Sequence, residues 1–445
     1  MFKIKKIIGR QVFDARGNPT VEADVFIEDN IMGRSTVPSG TSVGQYEAFE
    51  LRDVFSEAYG KKGVSKAVYN INTIISDALV GCNFSNQIEL DNTLLKIDGS
   101  YNKANLGANA ILAVSLASAK AFAKKVNKPL FQYIAQEFSN YEQKNNINNK
   151  YIQIDLSDNK NFMLDNTDLE SRVITTPMFN IINGGQHADN MLDIQEFMIV
   201  PVGGKDITEK LKMANEITNS LKQILINKEL GVNVGDEGGF APRIQKTNQA
   251  LDILKEAIKS AGYNDKVRIA IDVAASEFWK NKKYSFEGEE LDSIEMIDFY
   301  CFLIEKYPEI MSIEDPFADQ DIIGWQLATK ALGNKVLLVG DDLFVTNVNK
   351  IYEGLEYKIG NSILIKPNQI GTLSETIAAI QMAYNNKYIP IISHRSGETE
   401  DTTIAHLAVA VSALYIKTGA LCRGERVAKY NELLRIDEYL SIQNK

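Results

Sequence analysis

Six ionisable residues share a pattern in the C-terminal part of the chain and are the first candidates for chemistry. Each stands at the end of a short run rich in Val, Ile and Leu, and together they are Asp272, Glu314, Asp341, Lys366, His394 and Lys417. Successive members lie 42, 27, 25, 28 and 23 positions apart, which suits one strand followed by one helix. Repeated strand–helix units indicate a parallel sheet, so these side chains are expected along one edge of it.

The three acidic members of this set could hold a metal ion. Carboxylates such as those of Asp272, Glu314 and Asp341 are hard oxygen ligands of the kind that Mg²⁺ prefers. One acidic residue at a strand end is usually a helix cap or part of an ion pair, but three on consecutive strands favour a metal site. Lys366 follows on the next strand. It is either a counter-ion for these carboxylates or a general base, since burial or nearby cations lower a lysine pKa from about 10.4.

The histidines are few, and two of the three lie in segments suited to binding. His187 follows a pair of glycines, and His394 precedes Arg395, whose guanidinium suits a phosphate group. His406 lies in an apolar helical segment and is interpreted as structural.

Two further carboxylates belong to short polar segments. Glu237 stands in the sequence GDEGG, where the glycines either allow close backbone approach or simply form a tight turn. Glu196 follows Gln195 and lies nine positions after His187.

The elements that must position these residues divide the chain into three parts. Residues 1–135 are predicted to contain strands at 21–26 and 31–37, a mostly helical stretch at 47–81 and an Ala-rich helix at 108–126. Residues 136–172 are rich in Asn and turn formers and are predicted to be a polar insertion or junction. Residues 173–445 carry the strand–helix units. Charged residues at consecutive strand ends are typical of a (β/α)₈ barrel, and an open doubly wound sheet is the alternative.

Composition narrows the class of protein. The chain has 445 residues, a formal charge of −10 and 44% apolar residues, which is ordinary for a globular protein. The acidic balance argues against nucleic acid as the main partner. Three distant cysteines imply no disulfide framework, and no apolar segment reaches the length of a membrane span. We therefore expect a cytoplasmic location.

Longer segments throughout the chain resemble those of enolases. They are Asp14–Glu22, Pro38–Gly40, Gly107–Leu112, Asn180–Gly185, His187–Asn190, Gln195–Met198, Gly235–Gly239, Ser312–Phe317, Gly340–Leu343, Asn368–Gly371 and Ser393–Thr399. The resemblance implies a small α+β N-terminal domain that caps an enolase-type (β/α)₈ barrel. It also implies the glycolytic interconversion of 2-phosphoglycerate and phosphoenolpyruvate with two Mg²⁺ ions, in a homo-oligomer that is a dimer or an octamer.

The same resemblance implies a role for each matching residue. Lys366 is the base that removes the C2 proton, and Glu237, with Glu196 beside it, is the acid that protonates the departing 3-hydroxyl. Asp272, Glu314 and Asp341 hold the first Mg²⁺, and Ser39 helps to hold the second. His187 and His394 line the pocket and are counted with the catalytic residues. The substrate-binding set is Gly40, His187, Gln195, Glu196, Glu314, Asp341, Lys366, Arg395, Ser396 and Lys417.

The sequence departs from the enolase pattern at three places near the site. Thr41 and Val43 alter the glycine-rich loop, and Pro367 follows the lysine that is the implied base. Proline restricts the backbone and lacks an N–H, so it could alter the geometry of Lys366.

Two other functions were weighed against this one. The segments Ser100–Lys103, Ser157–Asn159 and Lys417–Gly419 fit the short patterns of serine β-lactamases, but such patterns recur by chance, and this hypothesis is rejected. The terminal Lys445 could bind lysine-recognising kringles, as in surface-displayed enolases, and this suggests plasminogen binding at the cell surface as a second role. If its catalytic activity is altered, the chain is instead an enolase-like binding protein; this is the alternative function.

Overall fold

An antiparallel sheet of four strands begins the fold. The computed structural model describes residues 1–40, 44–144 and 175–443. The strands are β1 (Phe2–Phe13), β2 (Pro19–Ile27), β3 (Met32–Thr36) and β4 (Asn83–Phe84), in the order β3-β2-β1-β4. The two strands predicted at 21–26 and 31–37 are present as β2 and β3. β1 was not predicted, because an irregularity between Ile4 and Lys6 shifts the alternation of its buried residues.

Five helices pack beside this sheet. They are α1 (Ser65–Asn70), α2 (Ser76–Leu79), α3 (Gln87–Asp98), α4 (Ala108–Lys125) and α5 (Leu130–Lys144). The Ala-rich α4 lies very close to β3, since a Cβ added at Gly33 would come within 2.0 Å of the Ala117 carbonyl oxygen. Small side chains on both elements are therefore what permits this contact.

The helix predicted from residue 47 begins only at Ser65. Residues 47–51 instead run over the barrel mouth, where the Ala48 N–H donates to the Gln369 carbonyl and the Phe49 N–H donates to the Asn102 carbonyl. Long-range backbone hydrogen bonds thus override the local helical pattern of this segment.

The predicted start of the polar insertion, residue 136, falls inside α5. In this helix Glu137 is buried and accepts a hydrogen bond from the Gln87 N–H at 3.2 Å. Residues 145–172 of the predicted insertion lie outside the described residues, and the division of the chain at 135 and 173 stays a prediction.

Eight strands close into a barrel, which excludes the alternative of an open doubly wound sheet. They are β5 (Thr176–Asn183), β6 (Glu196–Val200), β7 (Arg268–Asp272), β11 (Ile310–Glu314), β12 (Leu337–Gly340), β13 (Ser362–Ile365), β14 (Ile389–Ser393) and β15 (Tyr415–Lys417), in that order around the barrel. A small hairpin sheet of β8 (Trp279–Lys280), β9 (Lys283–Phe286) and β10 (Glu289–Leu291) follows β7. The predicted α/β barrel is confirmed.

One barrel strand runs against the others. β6 pairs antiparallel with both β5 and β7, whereas the remaining neighbours are parallel. No α-helix lies between β5 and β6, so the chain reverses there. As a result Glu196, the first residue of β6, stands beside Asp272, the last residue of β7.

The helices of this half surround the barrel. They are α6 (Ile207–Asn227), α7 (Thr247–Ser260), α8 (Ser293–Lys306), α9 (Ile322–Leu332), α10 (Val348–Tyr357), α11 (Pro367–Ile370), α12 (Leu373–Asn385), α13 (Thr403–Ala410) and α14 (Gly424–Gln443). Among the described residues, no helix has both the length and the apolar character needed to cross a membrane. The three cysteines are unpaired thiols.

Candidate active site

A polar cavity lies at the barrel mouth, where the C-terminal ends of the parallel strands meet. Its wall consists of Gly40, His187, Gln195, Glu196, Glu237, Asp272, Asp341, Asp342, Lys366, Ser393, His394, Arg395, Ser396 and Lys417. Of the residues predicted for the site, all except Glu314 and Ser39 line this wall. Residues separated by more than 300 positions are thus brought into one pocket.

Lys417, at the end of β15, is the centre of an acidic cluster. Its Nζ donates to Asp272 Oδ2 at 2.9 Å and to both Glu314 carboxylate oxygens at 2.8 and 2.9 Å. It also lies 3.2 Å from Glu196 Oε2. Burial would lower the pKa of Lys417, but the charges of these carboxylates outweigh it and raise that pKa well above its usual value. Lys417 therefore stays charged. It lines the cavity and binds Glu314, which lies behind the cavity wall.

Lys366 lies at the end of β13 and donates to Asp341 Oδ2. Burial would lower the pKa of Lys366, but the charge of Asp341 outweighs this effect and raises the pKa. Pro367 does not disturb the lysine: it occupies the first turn of α11, where a missing N–H is tolerated, and the Lys366 N–H donates to Thr346 Oγ1 at 2.8 Å.

Glu196 and Glu237 form a carboxylate pair on the other side of the cavity. His187 Nδ1 lies 3.6 Å from Glu196 Oε1 and 3.7 Å from Glu237 Oε1. Burial, reinforced by the charge of Glu237, raises the pKa of Glu196 well above its usual value. Burial acts on Glu237 in the same direction, but the neighbouring His394 and His187 outweigh it and lower the pKa of Glu237 well below its usual value. Two buried carboxylates this close do not both ionise readily, so the pair is suited to holding one proton between them.

The two pocket histidines are neutral. Burial lowers the pKa of His187, and burial lowers the pKa of His394 to about 3. His394 Nε2 lies 3.3 Å from Glu237 Oε2. His406 lies apart from the cavity, 3.1 Å from Glu432, as its structural interpretation predicted.

Arg395, which is predicted to bind a phosphate, forms an ion pair with Glu47, a residue that the sequence did not indicate as part of the site. Its Nη1 and Nη2 donate to the two Glu47 carboxylate oxygens at 2.9 and 3.1 Å, and Nη1 also donates to Asn368 Oδ1 at 3.2 Å. Both members of the Glu47–Arg395 ion pair are buried. This two-point contact is the geometry that a guanidinium also offers to a phosphate.

Ser39 is engaged away from the cavity. Its hydroxyl donates to Asp14 Oδ2 at 2.9 Å, and its backbone exchanges hydrogen bonds with Gly397. The next hydroxyl residues of this loop, Thr41 and Ser42, lie outside the described residues, as does Val43.

The carboxylates at the barrel mouth have the chemistry of a hard-cation site. Burial, together with the charge of Asp272, raises the pKa of Glu314 well above its usual value, so negative charge is in excess at this point. Within the described part of the chain, the sets of three possible metal-ligating side chains whose ligand atoms lie within 4.8 Å of one another are His187–Glu196–Glu237 and Asp315–Asp341–Asp342. The predicted set of Asp272, Glu314 and Asp341 is not drawn together to that distance, because Lys417 and Lys366 take up its oxygens. As a donor set it fits a divalent cation that would replace these ammonium contacts.

Several functional candidates escaped the sequence analysis. Asp342 lines the cavity, and burial, with the charge of Asp341, raises its pKa to about 7. Its position directly after Asp341 was a usable signal. Glu47, Asn180 and Arg426 contact site residues from distant elements, and only Asn180 lies in one of the enolase-like segments. The predicted plasminogen contact at Lys445 lies outside the described residues.

Comparison with known proteins covers nearly the whole chain. Residues 4–134 match the family model described as "Enolase, N-terminal domain", and residues 171–445 match "Enolase, C-terminal TIM barrel domain". The protein named "Enolase" of Ehrlichia canis (strain Jake) is 47% identical over 441 residues, which are 99% of this chain and 97% of that protein. The protein named "Enolase" of Ehrlichia chaffeensis (strain ATCC CRL-10679 / Arkansas) is 46% identical over 441 residues, which are again 99% of this chain and 97% of that protein.

Proposed function

This chain belongs to the enolase family of phosphopyruvate hydratases, which are lyases, and we propose that it interconverts 2-phosphoglycerate and phosphoenolpyruvate as the enolase of glycolysis. The observation that carries the proposed mechanism is the placement of two proton-transfer groups across one cavity. Lys366 follows β13, four strands around the barrel from β6, where Glu196 stands beside Glu237. A substrate between them meets a base on one side and an acid on the other.

Lys366 is the base in this proposal. In the structure its proton is retained by the charge of Asp341. A ligand that draws the Asp341 carboxylate away removes that effect, while the charges of Arg395 and Lys417 lower the lysine pKa. Neutral Lys366 Nζ then accepts the proton from C2 of the substrate.

Glu237 is the acid, and Glu196 supports it. The pair holds one proton that Glu237 delivers to the departing 3-hydroxyl as the C3–O bond breaks, so that water leaves. In the reverse direction the same carboxylate takes a proton from water.

The substrate anion is bound by the cationic side of the cavity. We propose that the phosphate replaces the Glu47 carboxylate on Arg395 and is completed by Ser396. Lys417 faces the substrate carboxylate, and Gly40, Gln195 and His187 complete the pocket.

Mg²⁺ is the proposed cofactor, with two ions in each site. Asp272, Glu314 and Asp341 would hold the first, and Ser39, whose hydroxyl oxygen keeps a lone pair while it donates its proton to Asp14, would take part in holding the second. When bound, the ions supply positive charge against the charge that develops on the substrate carboxylate. A homo-oligomer, dimer or octamer, and a cytoplasmic location remain predictions from the family resemblance.

The direct test follows phosphoenolpyruvate by its ultraviolet absorbance, with Mg²⁺ and then with a chelator, for the wild type, Lys366→Met and Glu237→Gln. We expect metal-dependent activity in the wild type and a loss of about 10³-fold or more in both variants. Lys335→Met, at an exposed lysine outside the cavity, is the matched control. Activity retained by Lys366→Met would exclude that lysine as the base.

Exchange of the C2 proton with deuterated solvent separates the two roles. A base variant should lose this exchange together with turnover, whereas an acid variant should retain part of it. For Ser39, the paired variants Ser39→Ala and Ser42→Ala show which serine of the loop affects the Mg²⁺ requirement.

A further inference from the structure

Arg426 is a buried cation that does not line the cavity. It lies in the first turn of α14 with no exposed surface. Its Nη1 approaches His394 Nδ1 at 2.5 Å and donates to the Arg395 carbonyl at 2.7 Å, and its Nη2 donates to the Ser396 carbonyl at 2.7 Å. One guanidinium therefore contacts three consecutive residues of the proposed site.

The direction of the contact with His394 is set by chemistry. A guanidinium has only hydrogen-bond donors, so His394 Nδ1 must accept and carries no proton. In the neutral ring the proton then sits on Nε2. That nitrogen lies 3.3 Å from Glu237 Oε2, and His394 thus donates to the carboxyl of the proposed acid.

A second donor reaches the same oxygen of Glu237. Asn180 Nδ2, on β5, donates to Oε2 at 3.0 Å. With two donors directed at Oε2, a proton on Glu237 has its place on Oε1. Oε1 is also the oxygen that lies 3.7 Å from His187 Nδ1.

We propose that Arg426 is a positioning residue that holds His394 in the Nε2–H tautomer and so assigns the proton of Glu237 to Oε1. The inference deepens the proposed function, on which it rests for the role of Glu237. It also links the acid side of the cavity to the phosphate side, because Arg426 holds the backbone carbonyls of Arg395 and Ser396.

The first test is the tautomer of His394 in the wild-type protein, read from long-range ¹H–¹⁵N correlation spectra of the imidazole rings. The chain has three histidines, so His394→Gln and His406→Gln assign the signals. We expect a pyrrole-like Nε2 and an unprotonated Nδ1 for His394 at neutral pH. An Nδ1–H tautomer or a charged ring would overturn the proposal. Because no turnover is measured, this outcome is independent of whether the proposed reaction occurs.

The second test compares Arg426→Lys with Arg423→Lys. Arg423 lies one turn earlier and donates to the Gly235 carbonyl at 2.9 and 3.1 Å, so it supports the same region without contacting His394. We expect Arg426→Lys to give a mixture of His394 tautomers and a kcat about 10- to 100-fold lower, with a smaller change in KM. Arg423→Lys should leave the His394 signals unchanged.

A folded Arg426→Lys protein with wild-type His394 signals would contradict the assigned role. If this variant does not fold, the wild-type spectrum alone decides, since the proposal requires the Nε2–H tautomer there.

Discussion

Among single residues, the main feature of the site is an excess of buried carboxylates over cations. Glu196, Glu237, Asp272, Glu314, Asp341 and Asp342 share the barrel mouth with the three cations Lys366, Arg395 and Lys417. An uncompensated buried charge is costly, so protons, lysines or metal ions must balance these groups. This excess supports the proposal that divalent cations replace the ammonium contacts of the site.

Lys417→Met tests this balance. The variant leaves Asp272, Glu314 and Glu196 without their shared ammonium group, and we expect the free energy of unfolding to fall by about 3–5 kcal/mol in the presence of a chelator. Added Mg²⁺ should raise the melting temperature more in the variant than in the wild type, because a cation that binds only the folded protein stabilises it. Thermal unfolding with and without Mg²⁺ measures both effects. Equal stability of Lys417→Met and the exposed-site control Lys335→Met would contradict the expectation.

At the scale of elements, buried polar contacts join helices that are distant in sequence. Asp91 of α3 is fully buried and accepts hydrogen bonds from the Ser374 N–H at 2.9 Å, the Ser374 hydroxyl at 2.7 Å and Gln87 Nε2 at 2.9 Å. Ser374 belongs to the first turn of α12, which runs beside the barrel. This carboxyl is therefore part of the joint between the N-terminal helices and the barrel.

Asp91 should make the stability of this joint depend on pH. Burial raises the pKa of Asp91 from 3.8 to about 6. Between these values the folded chain binds a proton that the unfolded chain releases, so the contribution of Asp91 is most favourable below about pH 4. It is lost as pH rises to 6, at about 1 kcal/mol per pH unit.

Urea unfolding of the wild type and Asp91→Asn at pH 4–8 checks this prediction. The difference in unfolding free energy between the two proteins should change with pH up to about 6 and then become constant. Asp77→Asn, at an exposed position of α2, should give a difference that does not vary with pH in this way.

For the whole molecule, Asp401 connects the N-terminal sheet to the barrel. Its carboxylate accepts hydrogen bonds from the Ser35 hydroxyl at 2.8 Å, the Thr36 N–H at 3.1 Å and Lys120 Nζ at 2.6 Å. It also accepts from Thr403 on α13. One buried side chain thus joins β3, α4 and the barrel helices.

Asp401→Asn should weaken this connection at neutral pH. Burial opposes ionisation of Asp401, but the charge of Lys120 outweighs it and lowers the pKa of Asp401 below its usual value. The stabilisation is therefore present above about pH 4 and is lost as pH falls further. We expect Asp401→Asn to reduce the unfolding free energy at pH 7 by about 2 kcal/mol, because the partly exposed Lys120 loses its charged partner.

Chemical denaturation at pH 7 and pH 3.5 measures this effect. The deficit of the variant should shrink at the lower pH. Glu400→Gln, the exposed neighbour, should behave like the wild type, and a deficit of equal size in both variants would argue against a specific role for Asp401.

Much of the barrel could be predicted because each of its strands is encoded by a short local run of residues. A buried parallel strand needs a short β-branched run, and the residue that ends the run lies at the mouth whatever the rest of the chain does. For this reason Asp272, Glu314, Asp341, Lys366, His394 and Lys417 were located from spacing alone. The same local reasoning failed at the start of the segment 47–64, since the N–H groups of Ala48 and Phe49 donate to the distant carbonyls of Gln369 and Asn102 and not to a helix of their own.

The sequence by itself determined the family, the barrel and the residue types gathered at its mouth. Only the tertiary structure decided how these groups are paired: Glu47 on Arg395, Asp14 on Ser39 and Arg426 on His394. Periodicity reports which face of an element is buried and extends over a few residues. Side-chain partners that lie 25 to 348 positions apart are chosen by packing and by the cost of burying an unpaired polar group, and no local pattern encodes that choice.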